Sequence, residues 1–396
     1  MMNRSEQFLQ EIRRILDKNI LDWWLGMKDP RGGFYGEADF AGRPVADAPR
    51  GVILNARIIW TFSAASLALG RKDCLLAARH AAEWFLQHFC DHRYGGVYWS
   101  VSPSGEPHER KKQLYSQAFA IYGMSEFYRC SGDKEALNAA VHLFRTVERY
   151  FRDAKNGGYR EALARDFSPL EDMSLSEHDI NADKTMNSHL HLLEAYAALY
   201  RVWPDEQLKM ALAELLERVC LFMPGEDGHL RLYFTGEWSV LPGAVSFGHD
   251  IETSWLGLEC AFALRDFDMT EKVRRACARL GRAGNEGCLE DGSFLYERPC
   301  GEVSRQIDYT RQWWVQAEAV VGNLWLWKYH ADGPALERAF RCWDYIKEHF
   351  VDSRGGEWYF NLLPDGTPDP SLPKAGFWKC PYHNARMCLE ILKIFE

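Results

Sequence analysis

A short glycine phrase recurs six times along this chain at a near-constant interval, and no other feature narrows the fold so far. It reads Gly32-Gly33-Phe34-Tyr35, Gly95-Gly96-Val97-Tyr98 and Gly157-Gly158-Tyr159. Weaker copies follow at Asp227-Gly228-His229-Leu230, Asp291-Gly292-Ser293-Phe294 and Gly355-Gly356-Glu357-Trp358. Successive copies lie 63, 62, 70, 64 and 64 residues apart. A fixed period of this kind marks a repeat architecture, in which each unit buries its apolar face only against its neighbours.

Each phrase leads into a β-like run. VYWSVSPSGEP, LRLYFTGEW and WYFNLLPDGTP read as small hairpins with a glycine turn. Two helical stretches separate consecutive phrases. The first is apolar nearly all round, as in 53–69 and 189–203. The second is amphipathic: in 134–152, Leu137, Val141, Phe144, Val147 and Phe151 recur at three- and four-residue steps. Helices apolar on every face are buried on every face, so they form an inner ring, and the amphipathic helices cover it. Pairing the N-terminal helix (5–25) with the C-terminal one (380–395) makes six pairs. Closing the ring hides the end surfaces that an open array would have to cap. The predicted fold is therefore all-α: an (α/α)6 barrel of six helical hairpins with short β-hairpin connections, one catalytic domain over 1–396. An open helical array is the competing architecture, and pairing the first helix with the last favours closure.

The chain has 396 residues, 47% of them apolar and 14% aromatic, enough for a large core with rings left over to line a cavity. The net charge of −9 argues against nucleic acid and anionic membranes as partners, since both want a basic face. No unbroken run of 18 apolar residues appears, and the N-terminus lacks a signal-peptide core. Eleven cysteines, an odd number with no CxxC pair, fit reduced thiols in a cytoplasmic protein. A monomer is the expected state.

Six stretches open the six inner helices: Arg50 to Arg57, Gln113 to Gln117, Lys184 to His191, Gly248 to Glu252, Asp308 to Trp314 and Lys379 to His383. Equivalent helix starts in a closed ring share one end, so their polar groups converge on one mouth. Three histidines fall there: His191, His249 and His383. A single histidine is more often a solvated or satisfied side chain, but three at one barrel end point to acid/base chemistry. Asn187 lies four residues before His191, on the same face. Glu252 lies three after His249, a spacing that lets the carboxylate orient the imidazole. His189 should face elsewhere and serve packing. Tyr115, Trp313, Trp314 and Trp378 bring flat aromatic faces to the same end, which suit a sugar ring. Asp179, in the long segment 160–183, is a candidate substrate contact.

With these residues in place, the chain resembles the N-acylglucosamine 2-epimerase superfamily. The segments that carry the resemblance are RGVILNARIIWTFSAA, KQLYSQAFAIYGMSEF, KTMNSHLHLLEAY, SFGHDIETSWL, RQWWVQAEAVVG and FWKCPYHNARMCLEI. It implies an (α/α)6 barrel enzyme that turns the reducing-end glucose of β-1,4-linked disaccharides into mannose, with neither cofactor nor metal. Cellobiose, lactose and mannobiose are the implied substrate class. It also implies acid/base roles for His249 and His383, a third active-site histidine in His191, and substrate contacts from Arg57, Tyr115, Asn187, Trp313 or Trp314, and Trp378.

That reaction needs such residues. The proton on C2 leaves beside the C1 carbonyl of the opened sugar and returns on the opposite face, so two groups of near-neutral pKa must flank C2. The enediolate between them needs a cation or donor at O1, for which Arg57 with His191 or Tyr115 is the natural choice. The rival readings are an epimerase of N-acetylglucosamine or a mannose isomerase, which share the enediolate. An (α/α)6 glycoside hydrolase would work through a carboxylate pair drawn from Glu252, Asp179, Asp250 and Asp308. A metal-dependent isomerase and a non-catalytic sugar-binding barrel are the remaining alternatives.

Overall fold

The computed structural model describes residues 4–176, 179–299 and 307–395. Twelve helices run through them. The outer set is α1 (4–25), α3 (Lys72–His88), α5 (Lys134–Tyr150), α7 (206–222), α9 (Phe267–Gly284) and α11 (333–350). The inner set is α2 (Val52–Leu69), α4 (Leu114–Ser131), α6 (Met186–Val202), α8 (Phe247–Leu264), α10 (Trp313–His330) and α12 (Tyr382–Phe395). Each inner helix packs on the next, and α12 packs on α2, which closes the (α/α)6 ring.

The two hydrophobic patterns sort the helices as expected. In α2 every residue from Val52 to Ala65 is buried. This helix is long and apolar enough to cross a membrane, but its apolar faces are turned into the barrel. In α5 the buried stripe is Ala136, Ala140, Leu143, Phe144 and Val147, with Leu137 and Val141 at its edges. One apolar cluster extends from Phe8 to Ile394, so the first helix and the last share a core.

The hairpins join neighbouring repeats. The strand Arg50–Gly51 ahead of α2 pairs with Ser100–Val101 of the following hairpin, and the same antiparallel pairing recurs four times. The sixth junction is a single bridge between Ala38 and Ala375, joining the first hairpin to the approach of α12.

A polar device repeats beneath these strands. The acid of four of the six glycine phrases binds a cation from the strand ahead of the next inner helix: Asp29 with Arg50 (2.6 Å), Asp91 with Lys112 (3.1 Å), Asp153 with Lys184 (2.8 Å) and Asp291 with Arg311 (3.4 Å). The fourth residue of the inner helix then caps the phrase. Gln117 accepts from the Val97 amide at 2.8 Å, His189 from Tyr159 at 3.1 Å, Asp250 from Leu230 at 2.9 Å and Gln316 from Phe294 at 2.8 Å. These bonds satisfy backbone donors that the turn would otherwise leave buried and unpaired. They also assign His189 to packing, as its spacing suggested.

The closure point has its own lock. Glu357, fully buried, accepts from Lys379 (2.8 Å), from Asn384 (2.6 Å) and from the Trp24 indole. Asn19 of α1 bonds the same turn through the carbonyl of Asp352 at 2.9 Å. Three segments far apart in sequence thus meet on one carboxylate.

Candidate active site

Every inner helix starts at the same mouth, and its sixth residue points into the barrel one turn down. Those six residues are Arg57, Phe119, His191, Glu252, Glu318 and, counting from Pro381, Arg386. All are buried. They form the layer on which the site is built, with Tyr115, His249, Trp314 and His383 above it.

Arg57, Tyr115, His191 and Trp378 form one wall. Arg57 Nη2 donates to Tyr115 Oη at 2.8 Å, and its guanidinium lies 4.2 Å from the Phe119 ring. Tyr115 meets His191 edge-on with centroids 5.1 Å apart and Trp378 at 6.0 Å. His249, Trp313, Trp314 and His383 form the other. Trp314 lies between two histidines, its ring 4.9 Å from His249 and 5.6 Å from His383, and Trp313 lies 6.0 Å from His383. Gly248 makes this possible: a Cβ there would sit 2.7 Å from the Trp314 ring.

Each histidine is held through Nδ1. His383 bonds Glu318 Oε1 at 2.7 Å, His191 bonds Glu194 Oε2 at 3.0 Å, and His249 bonds Ser246 Oγ at 2.8 Å. Nε2 is left without a protein partner in all three, among the described residues. A carboxylate on Nδ1 fixes the proton there and frees the Nε2 lone pair.

The expected pairing of Glu252 with His249 is not formed. Glu252 Oε1 accepts from Arg386 Nη2 at 2.7 Å and stands 4.0 Å from His383 Nδ1. A full charge on the neighbouring helix outcompetes a neutral imidazole on its own. Ser246, the cap residue of α8, holds His249 instead.

Arg386 is the centre of the cluster, and the sequence reading passed over it. Nη1 donates to Glu194 at 2.7 Å, and Nη2 donates to Glu252 and to Glu318 at 2.6 Å. Tyr382 Oη adds a bond to Glu194 at 2.5 Å, and Trp255 Nε1 one to Glu318 at 2.8 Å. Glu194, Glu318, Tyr382 and Ser246 were also missed. The clue for Glu194 was its three-residue step from His191, the same spacing that drew attention to Glu252.

Burial sets the protonation. It lowers the pKa of His383, and the Arg57 and Arg386 guanidiniums push the same way. It lowers His191 against the pull of Glu194. It lowers His249 too, although that ring keeps some access to solvent. All three imidazoles are therefore neutral at pH 7. Burial resists the charge on Glu194, but Arg386 and His191 draw its pKa down to about 2. Burial and the neighbouring Glu318 push Glu252 up to about 8 against Arg386. Burial raises Glu318 as well. Glu318 accepts from three donors and Glu252 from one, so the proton belongs on Glu252.

The remaining candidates lie around this core. Asn187 is half-buried one turn above His191, and its Oδ1 has no partner. Asp179 accepts from Ser176 (2.6 Å) and Tyr233 (3.0 Å) on the rim. Asp250 is taken up by His229 and Leu230, and Asp308 by Thr310, so neither is free for hydrolytic chemistry. The oxygens of Glu252 and Glu318 and a ring nitrogen of His383 converge within 4.8 Å, a spacing that suits a metal ion. Arg386 already occupies both carboxylates. The donor set is filled by a guanidinium.

The N-acylglucosamine 2-epimerase family model matches residues 33–386. The cellobiose 2-epimerase of Bacteroides fragilis is 43% identical over 394 residues, covering 98% of this chain and 99% of that protein. The structure of the cellobiose 2-epimerase from Bacillus thermoamylovorans B4167 superposes with a TM-score of 0.93 at 38% identity, covering 98% and 99% of the two chains. A D-mannose isomerase structure reaches a TM-score of 0.84 at 19% identity and shares the fold.

Proposed function

The chain belongs to the N-acylglucosamine 2-epimerase family, and from that premise we propose that it epimerises cellobiose and related β-1,4-linked disaccharides at C2 of the reducing-end sugar. The observation that carries the reading is the pair His249 and His383 against one indole, each presenting a free Nε2.

The reaction begins with the cyclic sugar. Breaking the C1–O5 bond needs a proton delivered to O5 and one removed from O1, within reach of an imidazole. The open aldose then presents C2–H. A neutral histidine takes that proton, and the electron pair moves into a C1–C2 enediolate with its charge on O1. Arg57, with the Tyr115 hydroxyl and His191 beside it, stabilises that oxygen in a dry site where such contacts count for most. The opposite histidine, which takes a proton from solvent on Nε2, delivers it to the other face of C2, and the first histidine releases the proton it took to solvent, so both end neutral. His383 rests neutral under burial and the two guanidiniums, and Glu318 on Nδ1 supports the imidazolium formed during turnover. His249 has only a hydroxyl behind it and is suited to act as the neutral base. Asn187 positions a sugar hydroxyl, Trp378 stacks on a ring, and Asp179 meets the distal sugar from the rim. Glu252, placed away from His249, accepts from Arg386 and belongs to its cluster.

Metal independence is part of the proposal, and the guanidinium between the carboxylates supports it. We further propose a cytoplasmic monomer. The ten described cysteines are all free thiols, which fits a reducing compartment.

The test is product identity. Incubation with cellobiose should yield 4-O-β-glucosyl-mannose, with turnover unchanged by EDTA. Free glucose would mean hydrolysis, a ketose product isomerisation, and either would displace the proposal.

A further inference from the structure

A cavity of about 890 Å³ opens at the far end of the barrel, among the C-terminal halves of the inner helices. Its floor is the underside of the histidine layer. Trp60 and Tyr122 lie there in a parallel stack, centroids 5.3 Å apart and planes within 11°, beside Trp255. Its walls carry charged side chains in pairs. Arg201 donates to Glu259 at 2.6 Å, and Lys393 donates to Glu390 at 3.3 Å.

We propose that this cavity binds a neutral saccharide of about disaccharide size, as a second sugar site back to back with the first. Three observations carry this. The volume lies in the range of small-molecule sites, and the lining mixes aromatic faces with a few convergent polar groups. Trp60 and Tyr122 keep a small exposed apolar surface that lines the cavity, a patch for the C–H side of a pyranose. Apart from the exposed Arg265, the wall charges named above compensate one another, so they offer donors and acceptors to hydroxyl groups, whereas an ion binding at them would have to break an ion pair.

The floor is two to three side chains thick. Trp255 bonds Glu318, which holds His383. Trp60 and Tyr122 lie 5.4 and 6.0 Å from the Tyr382 ring, whose hydroxyl bonds Glu194, which holds His191. A sugar on this floor therefore lies against residues that pack on the supports of two catalytic imidazoles.

The inference does not depend on the reaction proposed above, because binding is read without turnover. Equilibrium dialysis of the full-length protein uses labelled methyl β-cellobioside, whose blocked anomeric carbon cannot open. The wild type should bind one equivalent more than Ala64→Trp, in which an indole fills the cavity. His383→Ala should keep that extra equivalent. Glu390→Gln, a milder change, should weaken it about tenfold, the loss of one hydrogen bond to a charged group. Equal stoichiometry in the wild type and Ala64→Trp, or loss of the extra equivalent in His383→Ala, would overturn the second site. Failure to epimerise cellobiose would sink the proposed reaction and leave this result standing.

Discussion

Replacing Glu318 by glutamine removes one negative charge from the centre of the barrel mouth and almost no volume. The consequences can be worked from its contacts. Oε1 accepts from His383 Nδ1 (2.7 Å) and Arg386 Nη2 (2.6 Å), and Oε2 accepts from Trp255 Nε1 (2.8 Å). All three partners are donors, so a glutamine must turn its NH2 toward one of them. Facing the amide oxygen to the two-donor side is the cheaper choice, and it leaves the Trp255 indole opposed by another donor. One unmade buried hydrogen bond costs about 1–3 kcal/mol of stability. The His383 tautomer survives, but the charge behind its imidazolium is gone. A hydrogen bond to a charged group contributes about 1.5–3 kcal/mol. At about 1.4 kcal/mol per factor of ten, kcat on cellobiose should fall about 10- to 150-fold. KM should change little, because Glu318 lies below the layer that meets the sugar. The assay is initial-rate chromatography of the epimer at saturating cellobiose, with thermal unfolding run in parallel. A variant with wild-type kcat and a normal melting temperature would refute the idea that Glu318 supports His383.

Glu252→Gln should behave differently, since Glu252 is pushed up to about 8 and is already protonated at pH 7. Its kcat at pH 7 should stay within a few-fold of wild type, and the wild-type loss of rate as pH rises through about 8 should vanish from its pH profile. Stability follows the same group: a carboxyl whose folded pKa is raised keeps its proton after the unfolded chain has lost one. Wild-type stability should therefore decline between the ordinary carboxylate range and about pH 8, while chemical unfolding of the variant shows a shallower slope, the remainder coming from Glu161, which burial pushes up to about 7. Glu357→Ala strands four buried donors at the ring closure, including the Lys379 ammonium and the Trp358 amide, and should cost about 3–5 kcal/mol in urea unfolding with the site chemistry otherwise intact.

The architecture was legible because a repeat is read many times over. Each glycine phrase marks a turn, each apolar helix an inner position, and an error in one copy is corrected by the other five. The helix starts were therefore placed well enough to find Arg57, Tyr115, His191, His249 and His383 together. Partnership was harder to read. A three-residue step puts two side chains on one face, but it says nothing of what the next helix offers. Glu252 has the right spacing for His249 and is claimed by Arg386, which approaches from the other end of the chain. Glu194 has the same spacing from His191 and keeps it, because Arg386 reaches its other oxygen. Arg386 and Glu318 both sit in segments rich in chemistry, yet each is an ordinary charged residue on an apolar helix until closure brings α10 and α12 side by side. Burial decided the protonation states, and burial is a property of the closed ring.

The fate of the C2 proton separates a two-histidine exchange from every other route to the epimer. Cellobiose incubated with the enzyme in heavy water and followed by NMR should give a glucosyl-mannose product carrying deuterium at C2, and neither His249→Asn nor His383→Asn should form it. Product that keeps protium at C2, or epimer made at near wild-type rate by either variant, would contradict the two-histidine exchange.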